Sequence, residues 1–249
     1  MIYVSIPTRN NAPTVGLVLW KLRKVFHDFP REYHILVADD ASTDGTRETL
    51  ETYQRALPLT LLRHNQQRGR AATLEALFRD ALARTDRPRR DCVATVPADF
   101  SVSPAALPAL IRRFESGADV VIGEADPPHL PLRMRWLRRS APWLLKPGIA
   151  LPGVRDLLSG VAVIRLVTLK NCFEDRTARL LDTEGVCADA ELVARAAAKA
   201  RQVATVHVDE YPNGSVVRRE PPVLTTALHL LRAGRQLRIP TPGTEVQRT

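Results

Sequence analysis

Hydrophobic and polar positions in the first half of the chain follow two alternating periods. Short runs of β-branched and aliphatic residues predict strands at 2–6, 34–38, 59–63, 92–96 and 119–123. Between these runs, apolar residues recur every three or four positions, which is typical of one buried face of a helix. Strands that alternate with helices form βαβ units. The pattern therefore predicts an α/β fold, with a mainly parallel sheet flanked by helices.

The clearest helix signal follows the fourth predicted strand. Ser103 is a suitable N-cap, Pro104 suits the first helical position, and Gly117 marks the end of the helix. The apolar positions between them share one helical face and are Leu107, Leu110, Ile111 and Phe114. We expect that face to pack on the sheet.

The regular alternation breaks at 126–153, which is rich in Pro, Arg and Trp. We expect an irregular or interfacial insertion there. Strand patterns resume at 160–165 and 203–208, with a helix around 189–200 between them. Beyond residue 221 the sequence predicts one helix, at 223–231, and then a polar tail.

Charge narrows the classes of partner. The 249 residues suit one large domain, or one domain with an appendage. Lys and Arg total 36 against 27 Asp and Glu, a net charge of +9, and all but five of the 36 cations are arginine. Arginine forks match phosphates and carboxylates, so nucleotide, nucleic acid and anionic lipid are candidate partners, and simple solvation is the alternative.

Cysteine usage and hydropathy exclude other classes. Three cysteines without Cys-x-x-Cys spacing argue against a disulfide scaffold or a zinc knuckle, and favour a reducing cytosol. The N-terminal residues read as a strand, so we expect no signal peptide. No apolar run approaches the roughly 18 residues that a spanning helix needs. We therefore expect any membrane association to be peripheral, or to depend on a membrane-protein partner.

Polar residues follow three predicted strands, at 7–10, 39–46 and 97–99. Ligands of open parallel sheets bind beyond the carboxyl ends of the strands. In the second segment, Ser42 and Asp44 are expected to cap the next helix. The two consecutive acids, Asp39 and Asp40, are more than a helix cap requires. One of their carboxylates is therefore a candidate to accept a hydrogen bond from a nucleotide base. Capping by the whole segment is the alternative.

The sequence resembles glycosyltransferase family 2 in four segments that occur in the same order and spacing. They are SIPTRNNAPTV, LVADDASTDGT, residues 65–72 and VPADFSVSP. These enzymes are nucleotide-diphospho-sugar transferases with the Rossmann-like GT-A fold. Three later segments resemble one branch of this family, the dolichyl- and polyprenyl-phosphate sugar synthases. They are RMRWLRRSAPWLL, VRDLLSGVAVIR and residues 188–220. The resemblance implies a GT-A domain at 1–222 with a basic interfacial insertion at 129–153, followed by a C-terminal helix and polar tail at 223–249.

The resemblance implies a donor site at the ends of the strands. Asp40 would read the nucleotide base, with Asp39 beside it, and the further nucleotide-binding residues would be Pro7, Thr8, Arg9, Arg70 and Ala98. The family holds Mg²⁺ or Mn²⁺ with an Asp-x-Asp motif, which here reads Pro97-Ala98-Asp99. Asp99 would keep a weaker metal site. The alternatives are that arginine takes over part of the cation's role, or that nucleotide binds without turnover.

The resemblance also implies an acceptor site. Arg138, Arg139 and Ser140 would hold an acceptor phosphate, together with Ser159, Arg218 and Arg219, and the candidate catalytic acids are Asp99, Asp156, Asp189 and Glu191. Residues 129–146 carry five cations and no acid, interleaved with Leu, Met and Trp. This composition predicts contact with an anionic membrane surface. A surface helix that packs on the sheet is the alternative.

The expected activity is an inverting sugar transfer from a nucleotide-diphospho-sugar to a polyprenyl-phosphate-type acceptor. We expect a cytoplasmic protein, peripheral on the inner face of the membrane. One alternative is a hydroxyl acceptor, with Asp189 or Glu191 as general base. Another is a non-catalytic protein that binds nucleotide sugar or lipid phosphate. Nucleic acid is not expected as a partner, because no aromatic stacking platform accompanies the arginines.

Overall fold

The strands form one sheet in the order β3-β2-β1-β4-β6-β5-β7-β8. The structure is a computed structural model that describes residues 1–125, 132–146, 148–149, 151–174, 179–209, 223–240 and 246–248. The strands are β1 (Ile2–Thr8), β2 (Tyr33–Asp40), β3 (Leu59–His64), β4 (Cys92–Thr95), β5 (Val120–Glu124), β6 (Ala162–Arg165), β7 (Val203–His207) and β8 (Val246–Arg248). The helices are α1 (Ala12–Asp28), α2 (Thr46–Gln54), α3 (Arg70–Arg84), α4 (Leu107–Glu115), α5 (Leu132–Leu145), α6 (Leu166–Glu174), α7 (Val186–Lys199) and α8 (Val223–Gln236).

The sheet is parallel except at β6, which pairs antiparallel with both β4 and β5. Thr8 of β1 lies opposite Asp39 of β2, and Asp39 lies opposite Arg63 of β3. The carboxyl ends of these strands therefore share one edge of the sheet. The predicted α/β fold with a mainly parallel, helix-flanked sheet is confirmed.

Two apolar layers cover the two faces of the sheet. Successive side chains of a strand point to opposite faces. Val4 accordingly packs in the layer that contains α1 and α4, whereas its neighbour Tyr3 packs in the layer that contains α3, α5, α7 and α8. This arrangement leaves the carboxyl edge of the strands as the place where polar residues can gather.

The helix signal near residue 103 is borne out in detail. The Ser103 hydroxyl accepts a hydrogen bond from the Ala105 N–H at 3.2 Å, and Pro104 begins a short 3₁₀ turn that leads into α4. Gly117 follows α4 with a φ of 118°. A side chain disfavours this backbone conformation, which explains why glycine ends the helix.

The second half differs from the sequence expectation in three elements. The segment 126–153, expected to be an irregular or interfacial insertion, contains the regular helix α5 with Pro142 inside it. The sequence pattern did not predict α6, and part of the expected polar tail forms β8, which pairs parallel with β7. Residues 126–131, 147 and 150 lie outside the described part of the insertion.

Helix α8 packs closely against the end of α5 at Gly234 of α8 and at Gly148, which follows α5. A Cβ atom on Gly234 would lie 2.6 Å from the carbonyl oxygen of Leu144, and a Cβ atom on Gly148 would lie 2.5 Å from the Gly234 carbonyl oxygen. The Ile239 N–H also donates to the Gly148 carbonyl at 3.0 Å. The absence of side chains therefore lets the two backbones touch. Within the described residues, no helix combines the length and the hydropathy needed to cross a membrane.

Candidate active site

Backbone strain marks the carboxyl edge of the sheet. The non-glycine residues with positive φ in the described chain are Asn10 at 52°, Ala41 at 54° and Phe100 at 57°. They follow β1, β2 and β4, three adjacent strands. Each such residue costs about 1–3 kcal/mol and persists only where its surroundings enforce it. Three of them along one edge indicate a functional site there.

Asparagine side chains tie the ends of β1 and β2 together. The Asn10 N–H donates to the Ser42 hydroxyl at 2.9 Å, and the Asn10 side-chain oxygen accepts from the Thr43 N–H at 2.8 Å. Asn11 Oδ1 accepts from the Thr8 hydroxyl at 3.0 Å and from the Arg9 N–H at 3.1 Å. This network leaves the Arg9 side chain exposed at the edge, next to buried Pro7 and Thr8.

Asp44 serves two helices at once. Its carboxylate accepts from the N–H of Ala12, the first residue of α1, and from the N–H of Thr46, the first residue of α2, each at 3.0 Å. Burial raises the pKa of Asp44, but these bonds and the one from the Thr46 hydroxyl lower it by more, so the pKa lies below its ordinary value. The expected capping by Asp44 is confirmed, with Gly45 at the N-cap position. Ser42 instead bonds to Asp39 and Asn10.

The two acids at the end of β2 have different surroundings. Asp40 Oδ1 accepts from the Arg68 N–H and from His64 Nδ1, both at 2.8 Å, and Oδ2 accepts from the Gly69 N–H at 2.9 Å. Although burial favours the neutral acid, these bonds hold the pKa of Asp40 below its ordinary value. Asp40 thereby fastens the loop before α3 to the sheet.

Asp39 keeps more of its carboxylate available. It is 5% exposed, and its Oδ1 accepts from the N–H and the hydroxyl of Ser42. The described hydrogen bonds of Asp39 all use Oδ1. Of the two acids, Asp39 is therefore the one with a carboxylate oxygen that no described residue engages.

Arg70 joins residues from three distant segments. It opens α3, and its Nε and Nη2 donate to Asp189 of α7 at 2.7 and 2.9 Å. Burial opposes the charged form, but the charges of Asp189 and Asp99 raise the pKa of Arg70. A Cβ atom on Gly160, whose φ is 72°, would lie 3.4 Å from Arg70 Nη2. The structure thus brings Asp99, Arg70 and Asp189 together beyond β4.

Asp156 and Ser159 hold the segment between β5 and β6. Asp156 is 3% exposed and accepts from the N–H groups of Ala125 and Leu158 at 3.2 and 2.9 Å. The Ser159 hydroxyl donates to the Gly123 carbonyl at 2.6 Å. Both predicted site residues therefore shape the loop at the end of β5.

Glu191 and Ser140 are likewise engaged within the fold. The fully buried Glu191 accepts from the N–H groups of Asp182 and Thr183, from the Thr183 hydroxyl and from Arg195. These bonds anchor the loop before α7. The Ser140 hydroxyl donates to the Leu137 carbonyl in the preceding turn of α5 at 3.0 Å. The described contacts of both groups are therefore with the protein itself.

A cavity of about 510 Å³ lies beside α5, at the end of β5. The charged residues in its wall are Arg135, Arg138, Arg139, Arg155, Glu124 and Asp156, with Trp143 and His207 beside them. Arg138 Nη1 lies 3.8 Å from Asp156 Oδ2. Four arginines exceed two acids, so the wall carries net positive charge. A cavity with this charge can take an anion such as a phosphate.

The donor set does not fit a divalent cation held in the manner of an Asp-x-Asp motif. Hard cations such as Mg²⁺ and Mn²⁺ prefer oxygen ligands, and the buried Pro97 offers no side-chain oxygen. Asp99 Oδ1 accepts from the Ser101 N–H at 3.0 Å, and Arg70 binds both oxygens of Asp189. In the part of the chain described, no group of three or more acidic, His or Cys side chains could hold a metal.

Several functional contacts have no local sequence signal. His64 and the Arg68 N–H hold Asp40, and Glu184 Oε2 accepts from the Ala71 N–H at the start of α3. Arg155, whose N–H donates to Glu124 Oε1 at 2.5 Å, adds a cation to the cavity wall. Arg218 and Arg219, predicted to close over phosphates, lie outside the described residues.

The family model described as Glycosyl transferase family 2 matches residues 3–163. A dolichol-phosphate mannosyltransferase of Pyrococcus furiosus is 24% identical over 166 residues, which span 65% of this chain and 44% of that protein. An undecaprenyl-phosphate mannosyltransferase of Micrococcus luteus is 31% identical over 175 residues, 68% of each chain. The chain therefore spans less than half the length of the first relative.

A solved structure with a similar fold is a mannosyltransferase of Pyrobaculum calidifontis in complex with GDP-Man and Mn²⁺. Its TM-score is 0.61 at 22% identity, covering 96% of this chain and 65% of that chain. The likeness supports the fold. The Mn²⁺ bound by that protein supports a divalent metal in proteins of this fold in general, which contrasts with the donor set around Asp99.

Proposed function

Because the chain belongs to glycosyltransferase family 2, we propose that it transfers a sugar from a nucleotide-diphospho-sugar to a polyprenyl-phosphate-type acceptor, with inversion at the anomeric carbon. The observation that carries the proposal is a pair of charged sites along the same sheet. Asp99, Arg70 and Asp189 meet beyond β4, and the arginine-lined cavity lies at the end of β5.

The donor nucleotide lies along the ends of β1 and β2 in this proposal. Asp39 Oδ2 accepts from the base, since the oxygens of Asp40 already bind the loop before α3. Pro7, Thr8 and Ala98 form the floor, and the exposed Arg9 reaches the nucleotide from the side. The diphosphate then extends toward Asp99 and Arg70.

The acceptor phosphate occupies the arginine-lined cavity. Its oxygen forms a bond to the anomeric carbon while the bond from that carbon to the diphosphate breaks, and the electron pair leaves with the nucleoside diphosphate. A phosphate monoester is already anionic near pH 7, so the step needs positioning and charge neutralisation rather than a general base. This agrees with the engagement of Asp189 by Arg70 and of Glu191 by the loop before α7.

A transfer assay with matched acceptors tests the proposal. Polyprenyl phosphate and the corresponding polyprenol are each supplied with labelled GDP- or UDP-sugar. We expect product with the phosphate alone. Transfer to the alcohol, with loss of activity in Asp189→Asn, would instead establish a hydroxyl acceptor with a general base. Nucleotide binding without any transfer would establish a binding protein.

Two variants of α5 examine the acceptor cavity. Arg139 lines the cavity, whereas Arg133 is exposed on the same helix away from its wall. Loss of a charged contact to phosphate corresponds to about tenfold or more in affinity. We expect Arg139→Gln to raise the KM for polyprenyl phosphate accordingly and Arg133→Gln to leave it nearly unchanged. Equal effects in both variants would contradict the placement.

Helices α5 and α8 together supply the membrane contact in this proposal. Their exposed apolar side chains are Leu132, Trp136, Trp143, Leu224 and Leu228, exposed by 52% to 80%. Neither helix contains an acid, and together they carry six arginines. Tryptophan suits the headgroup level of a bilayer, and arginine suits anionic lipid. These properties support a peripheral position on the anionic inner face of a membrane.

Vesicle sedimentation tests the membrane contact. We expect binding to vesicles that contain anionic phospholipid and weak binding to neutral ones. Trp136→Ser is expected to reduce binding, whereas Trp20→Ser, at a tryptophan of α1 that is 50% exposed, serves as the matched control. Equal binding to neutral and anionic vesicles, or equal loss in both variants, would refute this surface.

A further inference from the structure

We infer that Arg70 supplies the positive charge that a metal ion bound to an Asp-x-Asp motif would supply, so that this chain binds a nucleoside diphosphate without a divalent cation. The inference rests on the proposed function, because it concerns the same donor site. It resolves the disagreement between the family's metal motif and the side chains that stand at the end of β4.

The first observation is the chemistry at Pro97 and Asp99. The proline side chain is a hydrocarbon ring and is buried at the end of β4. It cannot coordinate a cation, and its ring removes the backbone donor as well. Asp99 remains, and one of its oxygens already accepts from the Ser101 N–H. A divalent ion at this strand end would find one protein carboxylate, where the motif would supply two.

The second observation is the charge already present. Arg70 binds both oxygens of Asp189, and its charge interacts with that of Asp99. Two carboxylates and one guanidinium leave a single net negative charge. A site of that charge attracts a divalent ion weakly, and a guanidinium beside the ion repels it. The negative charge that a metal would neutralise here is therefore already balanced in part by a fixed cation.

The third observation is the space around the guanidinium. Arg70 carries five N–H donors, of which the described contacts to Asp189 use two. Gly160 has no side chain, and a Cβ atom there would lie 3.4 Å from Nη2, so nothing from that residue covers the fork. The Arg70 side chain is 26% exposed. A planar fork with remaining donors matches phosphate oxygens.

The position of Arg70 fits this role. It is the first residue of α3, and its partners come from α7 and from the end of β4. Nucleotides of open parallel sheets lie in the crevice beyond the strand ends. A nucleotide along the ends of β1 and β2 would extend its diphosphate toward β4, the other neighbour of β1, and so toward this guanidinium.

Calorimetry with GDP and UDP tests the inference. Each nucleotide is titrated into the full chain in EDTA, in Mg²⁺ and in Mn²⁺. We expect the Kd of the bound nucleotide to agree within about threefold across the three buffers. Arg70→Leu is expected to weaken binding by about tenfold or more in all of them, the loss of one charged contact to phosphate. Arg87→Leu, at an exposed arginine after α3, is the control and should bind as the wild type does.

A charge swap sharpens the test. We expect the double variant Pro97→Asp/Arg70→Leu to recover binding in Mn²⁺ but not in EDTA, because it restores the motif and removes the competing cation. Should Arg70→Leu unfold with Asp189 left unpaired, Arg70→Leu/Asp189→Asn removes both charges and is used in its place, with folding checked by circular dichroism.

The outcomes separate the two proposals. Wild-type binding that EDTA abolishes and Mn²⁺ restores would overturn the role of Arg70 and leave the proposed function standing. Metal-independent binding that Arg70→Leu does not weaken would also overturn it alone. No binding of either nucleotide in any buffer would overturn the proposed function, and the inference with it.

Discussion

Replacement of Asp40 by asparagine probes the contacts that fasten the loop before α3 to β2. The wild-type carboxylate is buried and accepts from two backbone N–H groups and from His64. Asparagine keeps one oxygen and places an NH₂ group where the other stood. Because an NH₂ group cannot accept, either the Gly69 N–H or the pair formed by Arg68 and His64 loses its partner. The variant therefore tests whether the second acid of the β2 segment is structural.

The expected loss follows from those bonds. A hydrogen bond to a charged group contributes about 1.5–3 kcal/mol, and a buried donor left without a partner costs a similar amount. The bonds that survive become neutral and roughly halve in strength. We expect Asp40→Asn to lower the free energy of unfolding by about 3 kcal/mol. For a chain of this size that corresponds to roughly 6–12 °C in Tm.

The same contacts fix the sign of a pH dependence. The folded-state pKa of Asp40 lies below the unfolded value of 3.8. The stabilisation from the carboxylate is therefore complete above about pH 5 and is lost as the pH falls through 3.8 toward the folded pKa. We expect the stability difference between wild type and Asp40→Asn to be constant near neutrality and to shrink on acidification.

Urea unfolding followed by circular dichroism, at several pH values from 7 downward, measures both effects. Asp80→Asn is the control, because Asp80 pairs with Arg84 on the surface of α3 and such pairs contribute about 0–1 kcal/mol. Equal stability of Asp40→Asn and wild type at pH 7 would refute the reasoning. So would a difference that stays the same down to the lowest pH at which the proteins fold.

Two further predictions concern glycine and cysteine. Gly69→Ala should lower the free energy of unfolding by about 1–3 kcal/mol, because its φ is 90° and a Cβ would lie 2.6 Å from the Glu184 carboxylate. Gly45→Ala should cost less, because its φ is −72° and a Cβ there would make an ordinary contact with Ala12 Cβ at 3.7 Å. Thermal melts that rank the two variants the other way would contradict this. Burial raises the pKa of the Cys92 thiol to about 12 and that of Cys187 to about 11, so N-ethylmaleimide at pH 8 should label both only after denaturation, as mass spectrometry of native protein would reveal.

The periodic pattern predicted the first half of the fold well, because its strands are buried and its helices amphipathic. The prediction of helices and strands was less accurate where the local sequence preference differs from what tertiary packing stabilises. Pro142 argues against a helix, yet α5 continues through it because its inner face, with Leu137 and Leu145, packs in the core. Strand β8 has the sequence Val-Gln-Arg, too short for a periodic pattern, and it is recognised only by its backbone pairing with β7.

Membership of glycosyltransferase family 2, which the strand-end motifs indicated, is confirmed. The resemblance of the later segments to the polyprenyl-phosphate branch is supported by relatives such as the undecaprenyl-phosphate mannosyltransferase. The roles of single residues depend on partners far away in the chain. Asp39 and Asp40 are adjacent, and only the loop from 64 to 69 decides which of them has its oxygens engaged. Arg70 and Asp189 are 119 residues apart. No local sequence pattern encodes either contact. The sequence therefore identified these residues as site candidates but did not predict which partner each one binds.

The glycine contact between α5 and α8 has a consequence for how this surface can change in evolution. Substitution of Gly148 or Gly234 by any larger residue would push the helices apart by the width of a methyl group or more. Changes in the outward residues of either helix are unconstrained by that contact, whereas a larger residue at either glycine requires the backbones to move apart. Homologues that keep small residues at both positions should therefore retain the paired helices.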